Sequence, residues 1–372
     1  MNFFQVKPDI YFGPSSMDIL GTLEMTKVFL VTDENMVKLK VTDKVTNILK
    51  SRGIEIKIFS NINPDPTDEE IVEGMTEMIN FDADCVIAIG GGSPIDACKA
   101  MIYFTRKIRK AMEQEKNQIF ITIPTTSGTG TEVTTYSVIT SGSKKIPLSE
   151  EAMLPDIAIL NPEFIKTLPP SVIADTGMDV LTHAIEAYVC KISNLFVRTL
   201  AIGAIKTVFA DLVNNYENPF LERERIDLQI ASCMAGMAFS NSALGINHSI
   251  AHSLGARFHK AHGRLNALLL PKVILFNAKN RRAAGLYGEI ARELGFMPKS
   301  DLEGAELLSK AIRMRNSKMK IPRRLKDMGI DEKEYFTQID SMINQIEKDI
   351  CSEHTPRKFS RSEMEKFLRE LY

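Results

Sequence analysis

The stretch DCVIAIGGGSPIDACKA, residues 84–100, passes from an apolar β-rich segment through three glycines and a serine into a helical pattern. This order predicts a strand, a tight turn and a helix. Comparable apolar runs lie at 27–32, 54–59 and 118–124, and amphipathic segments separate them. The alternation predicts an α/β fold with a mostly parallel sheet. In such sheets ligands bind beyond the carboxyl ends of the strands.

The pattern changes after the segment LNPEFIKTLPP, residues 160–170. From residue 171 onward apolar residues recur at helical spacing, and no segment is typical of a strand. A chain of 372 residues is also too long for one ordinary core. We therefore predict an α/β domain at 1–168 with a parallel sheet, followed by an all-α domain at 169–372.

Composition narrows the possible partners. The formal net charge is −1 and 44% of the residues are hydrophobic, which is typical of a soluble globular protein. This balance gives no basic surface for nucleic acid, and no apolar run is long enough to span a membrane. The five cysteines are scattered, and the N-terminus lacks a secretory signal. A cytoplasmic protein without disulfides is the expectation.

Two polar loops follow predicted strands. Gly91, Gly92 and Ser93 lie where a strand ends and a helix begins, and free helix amides there can bind a phosphate. A tight turn without a ligand is an equally good interpretation of these residues alone. The loop PTTSGTGTEVT, residues 124–134, holds hydroxyls and glycines that can line a polar groove or simply face solvent. Because neighbouring parallel strands end at one edge, the pair favours a nucleotide site.

Asp33 follows the predicted strand at 27–32 and allows two interpretations. A carboxylate at this point can bind an adenosine ribose diol and repel a 2′-phosphate, which favours NAD over NADP. It can equally cap the N-terminus of a helix. The residue pattern alone favours the cap.

Histidines are few and clustered. Four of the six in the chain fall within GINHSIAHSLGARFHKAHGRLNALLLP, residues 245–271. His248 and His252 are four apart, as are Asp179 and His183 in an earlier helical segment, so each pair shares a helix face. With His262, these segments offer one carboxylate and up to four imidazoles, and one carboxylate with three imidazoles suits zinc or ferrous iron.

Not every histidine needs to bind metal. His252 lies on the same face as His248 and can instead transfer protons, while His259 has no evident role. A single histidine is usually a hydrogen-bonded core residue, but this interpretation is poor for four of them so close together.

Four motifs together resemble the iron-dependent (group III) alcohol dehydrogenases. They are GGGSPIDACKA, IPTTSGTGTEVT, TGMDVLTHAIEAY and the histidine-rich segment at 245–271. The similarity extends from about residue 8 to the C-terminus. Within the family, the compact chain and its GMAFSNSALGINHSIAH run resemble the 1-propanol dehydrogenases of propanediol-utilising microcompartments.

The resemblance implies a site and its cofactors. The metal ligands would be Asp179, His183, His248 and His262, holding Fe(II) with Zn(II) as a possible substitute, and His252 would lie beside the nicotinamide. The cofactor NAD(H) would contact the following residues: Asp33, Gly91, Gly92, Ser93, Thr125, Thr126, Thr134 and Lys145. Asp33 would then bind the ribose, which reverses the preference for a simple cap. Many relatives have Asn where this chain has Asp65, so the chain departs from the family pattern at that cofactor contact.

The implied activity is the interconversion of short-chain primary alcohols and aldehydes, for example propionaldehyde and 1-propanol. A homodimer or larger homo-oligomer is implied, as is a location in the cytoplasm or within a bacterial microcompartment, where its components would be partners. The metal set alone also allows a metal-dependent hydrolase, and the scaffold resembles that of dehydroquinate synthase, a lyase.

Overall fold

A computed structural model describes residues 4–142 and 144–372, with only the backbone of Lys144. The chain divides into two compact units, one spanning Gln5–Thr167 and the other Leu168–Tyr372 together with Phe4. Among the described residues, no helix is both long and apolar enough to cross a membrane.

The first unit contains a six-stranded, wholly parallel sheet in the order β1-β8-β5-β4-β2-β3. Its strands are β1 (Asp9–Phe12), β2 (Lys27–Val31), β3 (Glu55–Phe59), β4 (Cys85–Gly90), β5 (Ile119–Pro124) and β8 (Ile157–Leu160). The predicted α/β class is thereby confirmed. The sequence pattern identified β2, β3, β4 and β5, whereas the short edge strand β1 and its partner β8 were missed.

Helices cover the sheet. They are α1 (Glu34–Lys38), α2 (Asp43–Ser51), α3 (Asp68–Phe81) and α4 (Gly92–Ala111). Side chains alternate along β2, so that Phe29 and Val31 pack toward α3 and α4, while Val28 and Leu30 pack toward α2. Both faces are buried, which explains the continuous apolar runs of these strands. The amphipathic segment between β2 and β3 is two helices, because the chain turns at Lys40 with φ of 55°.

A separate antiparallel hairpin lies outside the main sheet. Its strands are β6 (Tyr136–Ser141) and β7 (Lys144–Ser149), and Tyr136 pairs with Ser149. Short 3-10 helices occur at Ser16–Gly21, Thr131–Val133, Glu151–Met153 and Pro162–Phe164. The hairpin was not predicted, because its polar strands lack the apolar run that marks a buried strand.

The second unit is helical, as predicted, and its described residues form no strand. Its helices are α5 (Pro170–Val189), α6 (Leu195–Glu217), α7 (Glu222–Ser240), α8 (Ile246–Phe258), α9 (His262–Asn277), α10 (Arg281–Glu293), α11 (Asp301–Lys318), α12 (Glu332–Lys348), α13 (Ile350–Glu353) and α14 (Arg361–Arg369), with a 3-10 helix at Leu325–Met328. Helix α5 is buried along most of its length and packs against α6, α7 and α9. A helix buried on all sides is apolar all round, and its few polar residues therefore stand out.

Candidate metal centre and cofactor-binding loops

Helix α5 carries the first predicted ligands. Asp179 and His183 are one turn apart, and both are buried, with 5% and 6% of their surface exposed. Glu186 continues the same face and is 3% exposed. Three ionisable side chains in one apolar helix need partners, because an unpaired buried charge is costly.

Glu186 receives its partners from the start of α8. Its Oε2 accepts the backbone N–H of Gly245 at 3.0 Å, and its Oε1 accepts that of Asn247 at 2.7 Å. A Cβ atom at Gly245 would lie 2.7 Å from Oε1, so glycine at this position leaves room for the Glu186 carboxylate. Glu186 thus caps α8 from a different helix, since Gly245 has no side chain to do so.

The same carboxylate orients His248. Nδ1 of His248 lies 2.6 Å from Oε2 of Glu186. Because a carboxylate only accepts, Nδ1 carries the proton and the lone pair is left on Nε2. That Nε2 lies 3.7 Å from Oδ1 of Asp179. A carboxylate behind a metal-binding histidine is a common device for fixing the ligand tautomer.

Helix α9 brings His262 to the same place. Its ring Nε2 is also 3.7 Å from Oδ1 of Asp179. The next residue, Gly263, lies against α5, and a Cβ atom there would fall 2.1 Å from the carbonyl oxygen of Asp175. Arg264 donates to the Asp175 carboxylate at 2.8 Å and fastens the same contact. Close backbone approach therefore sets the position of His262.

Three of the predicted ligands converge on one point. Ligand atoms of Asp179, His248 and His262 all lie within 4.8 Å of one another. The amide nitrogen of Asn266 marks the focus, at 2.6 Å from Asp179 Oδ1, 3.2 Å from His248 Nε2 and 3.0 Å from His262 Nε2. Asn247 donates to the Asn266 oxygen at 2.9 Å and so fixes which end of the amide faces the ligands.

His183 lies beside this group but not within its closest set. Its ring stacks on that of His248, with centroids 4.6 Å apart and an angle of 15° between the planes, and it also contacts Phe239. The four predicted ligands therefore occupy one cluster, three of them with converging donor atoms.

The cluster is chemically suited to a divalent cation. Although burial opposes ionisation, the neighbouring His183, His262 and His248 hold the pKa of the Asp179 carboxyl well below its usual range. The set thus offers one anionic oxygen and imidazole nitrogens that can bind metal once deprotonated, the donors that zinc and ferrous iron take.

His252, the predicted proton-transfer residue, has a carboxylate partner that the sequence did not indicate. Its Nδ1 lies 2.9 Å from Oδ2 of Asp349, and 40% of its side chain is exposed. Its ring stacks on that of His262 at 5.3 Å. His259, by contrast, is exposed and ends α8 in the left-handed conformation, with φ of 49°.

The glycine turn and the threonine loop begin side by side. Gly90 at the end of β4 pairs with Pro124 at the end of β5, and the Thr125 N–H donates to the Gly90 oxygen at 2.9 Å. Helix α4 starts at Gly92 without a side-chain cap. A Cβ atom at Gly91 would touch Thr126 at 3.6 Å. The two loops therefore share one edge of the sheet, as the order of the strands and loops in the sequence predicted.

Asp33 lies at the same edge, on the other side of β4. A cavity of about 400 Å³ is lined by Asp33 and by Gly91, Gly92 and Ser93. The Asp33 carboxylate also caps α1, accepting the N–H of Asn35 at 2.9 Å. Both interpretations of Asp33 are therefore compatible, because one carboxylate can cap the helix and face the cavity.

Other predicted cofactor residues lie outside the lining of this cavity, among the described residues. Thr134 is buried and accepts from the ammonium of Lys99 at 3.0 Å. Lys145 on β7 forms an ion pair with Asp65 at 2.6 Å, and both side chains are largely exposed. Thr125 and Thr126 belong to the loop that begins beside Gly90.

Lys99 was not singled out from the sequence, although it is a lysine in an otherwise apolar helix segment. It is fully buried, and its Nζ lies 2.5–3.0 Å from five oxygens of Thr131, Thr134 and Tyr136. Burial lowers its pKa to about 8, against the opposing effect of Asp96 and Glu132. Lys99 therefore holds the far end of the threonine loop.

Comparison with known proteins identifies the family of this chain. The family model described as iron-containing alcohol dehydrogenase matches residues 8–162, and the C-terminal model of the same family matches residues 173–372. The chain belongs to the iron-containing alcohol dehydrogenase family, an oxidoreductase family. The family predicted from the four motifs is confirmed.

Individual relatives cover the whole chain. The NADPH-dependent butanol dehydrogenase of Clostridium saccharobutylicum is 39% identical over 99% of this chain and 97% of its own. The 1-propanol dehydrogenase PduQ of Citrobacter freundii is 38% identical over 100% of both. The solved alcohol dehydrogenase of Oenococcus oeni has a TM-score of 0.92 at 29% identity, again over 100% of both chains. These relatives support alcohol dehydrogenase activity and give no support to the lyase or hydrolase alternative.

Proposed function

We propose that this protein interconverts short-chain primary alcohols and aldehydes, with propionaldehyde and 1-propanol as a representative pair, using NAD(H) and Fe(II). The observation that carries the proposal is the convergence of Asp179, His248 and His262 on one point, where Asp179 and His248 are buried and the His262 side chain is 42% exposed. His183, which stacks on His248, completes the proposed ligand set. The name of the Citrobacter relative, a 1-propanol dehydrogenase, supports the chain length of the substrate.

A divalent ion bound there would supply Lewis acidity toward the alcohol or aldehyde oxygen. The protein residues prepare the site for it. Asp179 contributes a negative charge, and Glu186 keeps the proton of His248 on Nδ1. Asp179, Glu186 and His248 are buried, which strengthens the electrostatic interactions among them. Hydride exchange with the substrate is the chemistry of the nicotinamide.

His252 would exchange the proton that accompanies hydride transfer. Unlike His248, it has an exposed side chain, and its Nδ1 is already bound to Asp349. Nε2 is then the nitrogen available to a substrate or to a water chain. Physiologically, aldehyde reduction that regenerates NAD is the direction we propose.

NAD(H) is the proposed cofactor form. The residues proposed to contact it are Asp33, Gly91, Gly92, Ser93, Thr125, Thr126, Thr134 and Lys145. Asp33 and Glu34 place two carboxylates at the cavity that also contains the glycine turn. Lys38 is engaged by Glu34 at 2.5 Å. A 2′-phosphate would meet net negative charge here, so NADH should be preferred, in contrast to the Clostridium relative, which is named as NADPH-dependent.

Zinc is proposed as a substitute metal. Three imidazoles bind Zn(II) more tightly than Fe(II) in the usual order of affinities. Iron occupancy would then depend on which metal is available. We further propose that 1–168 acts as the NAD-binding domain and 169–372 as the metal and substrate domain. Assembly as a homodimer or larger oligomer, a cytoplasmic location and residence in a microcompartment are also proposals, and they rest on the family resemblance.

The test is anaerobic reduction of propionaldehyde on protein that has been chelated and then reloaded separately with Fe(II) or Zn(II). We expect oxidation of NADH only after reloading, and faster oxidation of NADH than of NADPH. His262→Ala should remain folded by circular dichroism and lose activity with either metal. Activity that persists in the chelated protein would refute the metal assignment. Absence of turnover on any short aldehyde or alcohol would refute the proposed reaction.

A further inference from the structure

Asp349 lies between α12 and α13 with both carboxylate oxygens engaged. Its Oδ1 accepts the backbone N–H of Cys351 at 2.9 Å and the hydroxyl of Ser249 at 3.0 Å. Its Oδ2 faces Nδ1 of His252 at 2.9 Å. Only 14% of the Asp349 side chain is exposed. Each oxygen therefore has its own donors, and Oδ2 is left for the histidine.

Two serine hydroxyls form a chain of hydrogen bonds that leads to Asp349. Ser352 donates to the oxygen of Ser249 at 2.8 Å, and Ser249 in turn donates to Asp349. Ser249 and His252 are three residues apart on α8, on one face of the helix. The chain of donors ends at Oδ1, so Asp349 is held by α8 at two points and cannot rotate without breaking both.

We infer that Asp349 is a positioning residue, which keeps the proton of His252 on Nδ1 and directs its Nε2 away from the carboxylate toward the reacting groups. The inference deepens the proposed function and rests on His252 being the proton-transfer residue. Asp349 itself need not touch substrate or cofactor.

A comparison within the molecule supports this assignment. His248 and His252 lie one turn apart on α8, and each has a carboxylate at Nδ1, from Glu186 and Asp349 respectively. The two differ in exposure, since the side chain of His248 is 1% exposed and that of His252 is 40%. In each histidine the carboxylate at Nδ1 leaves the lone pair on Nε2. That lone pair would bind the ion in His248 and an accessible partner in His252.

A second metal site is the competing interpretation, because ligand atoms of His252, Asp349 and Cys351 also lie within 4.8 Å of one another. The hydrogen bonds argue against it. Both oxygens of Asp349 already accept N–H or O–H groups, and Nδ1 of His252 is occupied by Oδ2. Binding an ion would break this set.

The test uses Asp349→Asn, which is nearly isosteric and keeps a good helix cap. Because Cys351 and Ser249 both need an acceptor, the amide oxygen should take the place of Oδ1. The amide NH₂ then faces His252 and forces the proton onto Nε2. Nitrogen-15 NMR of histidine-labelled, Zn(II)-loaded protein reports the tautomer directly. The chain has only six histidines, so few imidazole signals need to be resolved. The His252 signal is identified by its loss in His252→Gln.

We expect Nδ1–H in the unmodified protein and Nε2–H in Asp349→Asn. The kcat for propionaldehyde should fall by roughly 10²-fold, in the range for general acid–base catalysis, while KM for NADH and metal content stay within about twofold. Asp349→Glu should recover part of the activity and the Nδ1–H tautomer. The control is Asp340→Asn, which changes an exposed carboxylate paired with Arg361 on α14. It should alter neither kcat nor the tautomer of His252.

An unchanged tautomer in Asp349→Asn would overturn the inference, as would full kcat with the tautomer inverted. A loss of metal in this variant would also overturn it, in favour of a ligand role. If the unmodified protein has no dehydrogenase activity, the proposed function fails separately, because the NMR result still reports whether Asp349 sets the tautomer.

Discussion

Nδ1 of His248 lies 2.6 Å from Oε2 of Glu186, a carboxylate that also accepts two backbone amides at the start of α8. One side chain therefore sets both the position of the helix and the tautomer of its first histidine. Because the tautomer of His248 and the position of α8 depend on the same carboxylate, a change at Glu186 should disturb both.

Glu186→Gln should weaken metal binding by roughly 10- to 100-fold, as changes behind a metal-binding histidine typically do. The amide cannot accept at both of its ends, so either an α8 amide or His248 loses its partner. Calorimetric titration of chelated protein with Zn(II) measures the effect. Glu289→Gln, at an exposed carboxylate that accepts from Tyr188, is the matched control. Equal affinity in the two variants would refute the role of Glu186.

Gly263→Ala should displace the start of α9. The new Cβ would lie 2.1 Å from the carbonyl oxygen of Asp175, and such overpacking typically costs about 1–3 kcal/mol. Because His262 is the preceding residue, Zn(II) affinity should fall along with stability. At Gly255 on α8 the nearest atom would be 3.7 Å away, so Gly255→Ala should have no such effect. Identical melting and metal affinity in both variants would show that close approach at Gly263 is unimportant.

Asp33→Asn should reduce the preference for NADH over NADPH. Asparagine still caps α1 and removes only the charge, so the helix is kept. The ratio of kcat/KM for NADH and NADPH should shift toward NADPH by roughly tenfold, which corresponds to about 1.4 kcal/mol. Glu24→Gln offers an exposed carboxylate for comparison. A ratio that does not move would mean that Asp33 serves only as a cap.

Glu132 should make stability depend on pH. Burial raises its pKa from an ordinary value of 4.5 to about 7, although Lys99 opposes this rise. The folded state then binds more protons than the unfolded state between these values, so stability falls as pH rises from 4.5 through about 7. The loss from this one group is on the order of 3 kcal/mol. Urea unfolding gives the free energy of unfolding of Glu132→Gln and of the unmodified protein. Between pH 5 and pH 7 this free energy should rise in the variant relative to the unmodified protein. A difference between the two proteins that stays constant over this range would contradict the assignment.

Some of this architecture follows from local sequence signals. The spacing of Asp179 and His183, and of His248 and His252, is enough by itself to place each pair on one helix face. Glu186 had a usable signal too, since it lies seven residues after Asp179 on the same face of an apolar helix. Strands β2, β4 and β5 were marked by apolar runs because both of their faces are buried.

Other features depend on tertiary contacts that no local pattern records. Asp349 lies far along the chain from His252, and nothing in the intervening sequence pairs them. The convergence of three ligands on the Asn266 amide depends on how closely α9 packs on α5 at Gly263. The strands β1 and β8 were missed because they are only four residues long.

The most direct test of the central claim traces deuterium from NADH into the alcohol product. The Fe(II)-loaded protein is supplied with propionaldehyde and NADH that carries deuterium at C4 of the nicotinamide on the transferred face. A dehydrogenase must deliver that deuterium to C1 of 1-propanol, one atom for each NADH consumed, and we predict this result. Propanol without deuterium, or NADH left unconsumed while the aldehyde disappears, would contradict the assignment of an NAD-linked alcohol dehydrogenase.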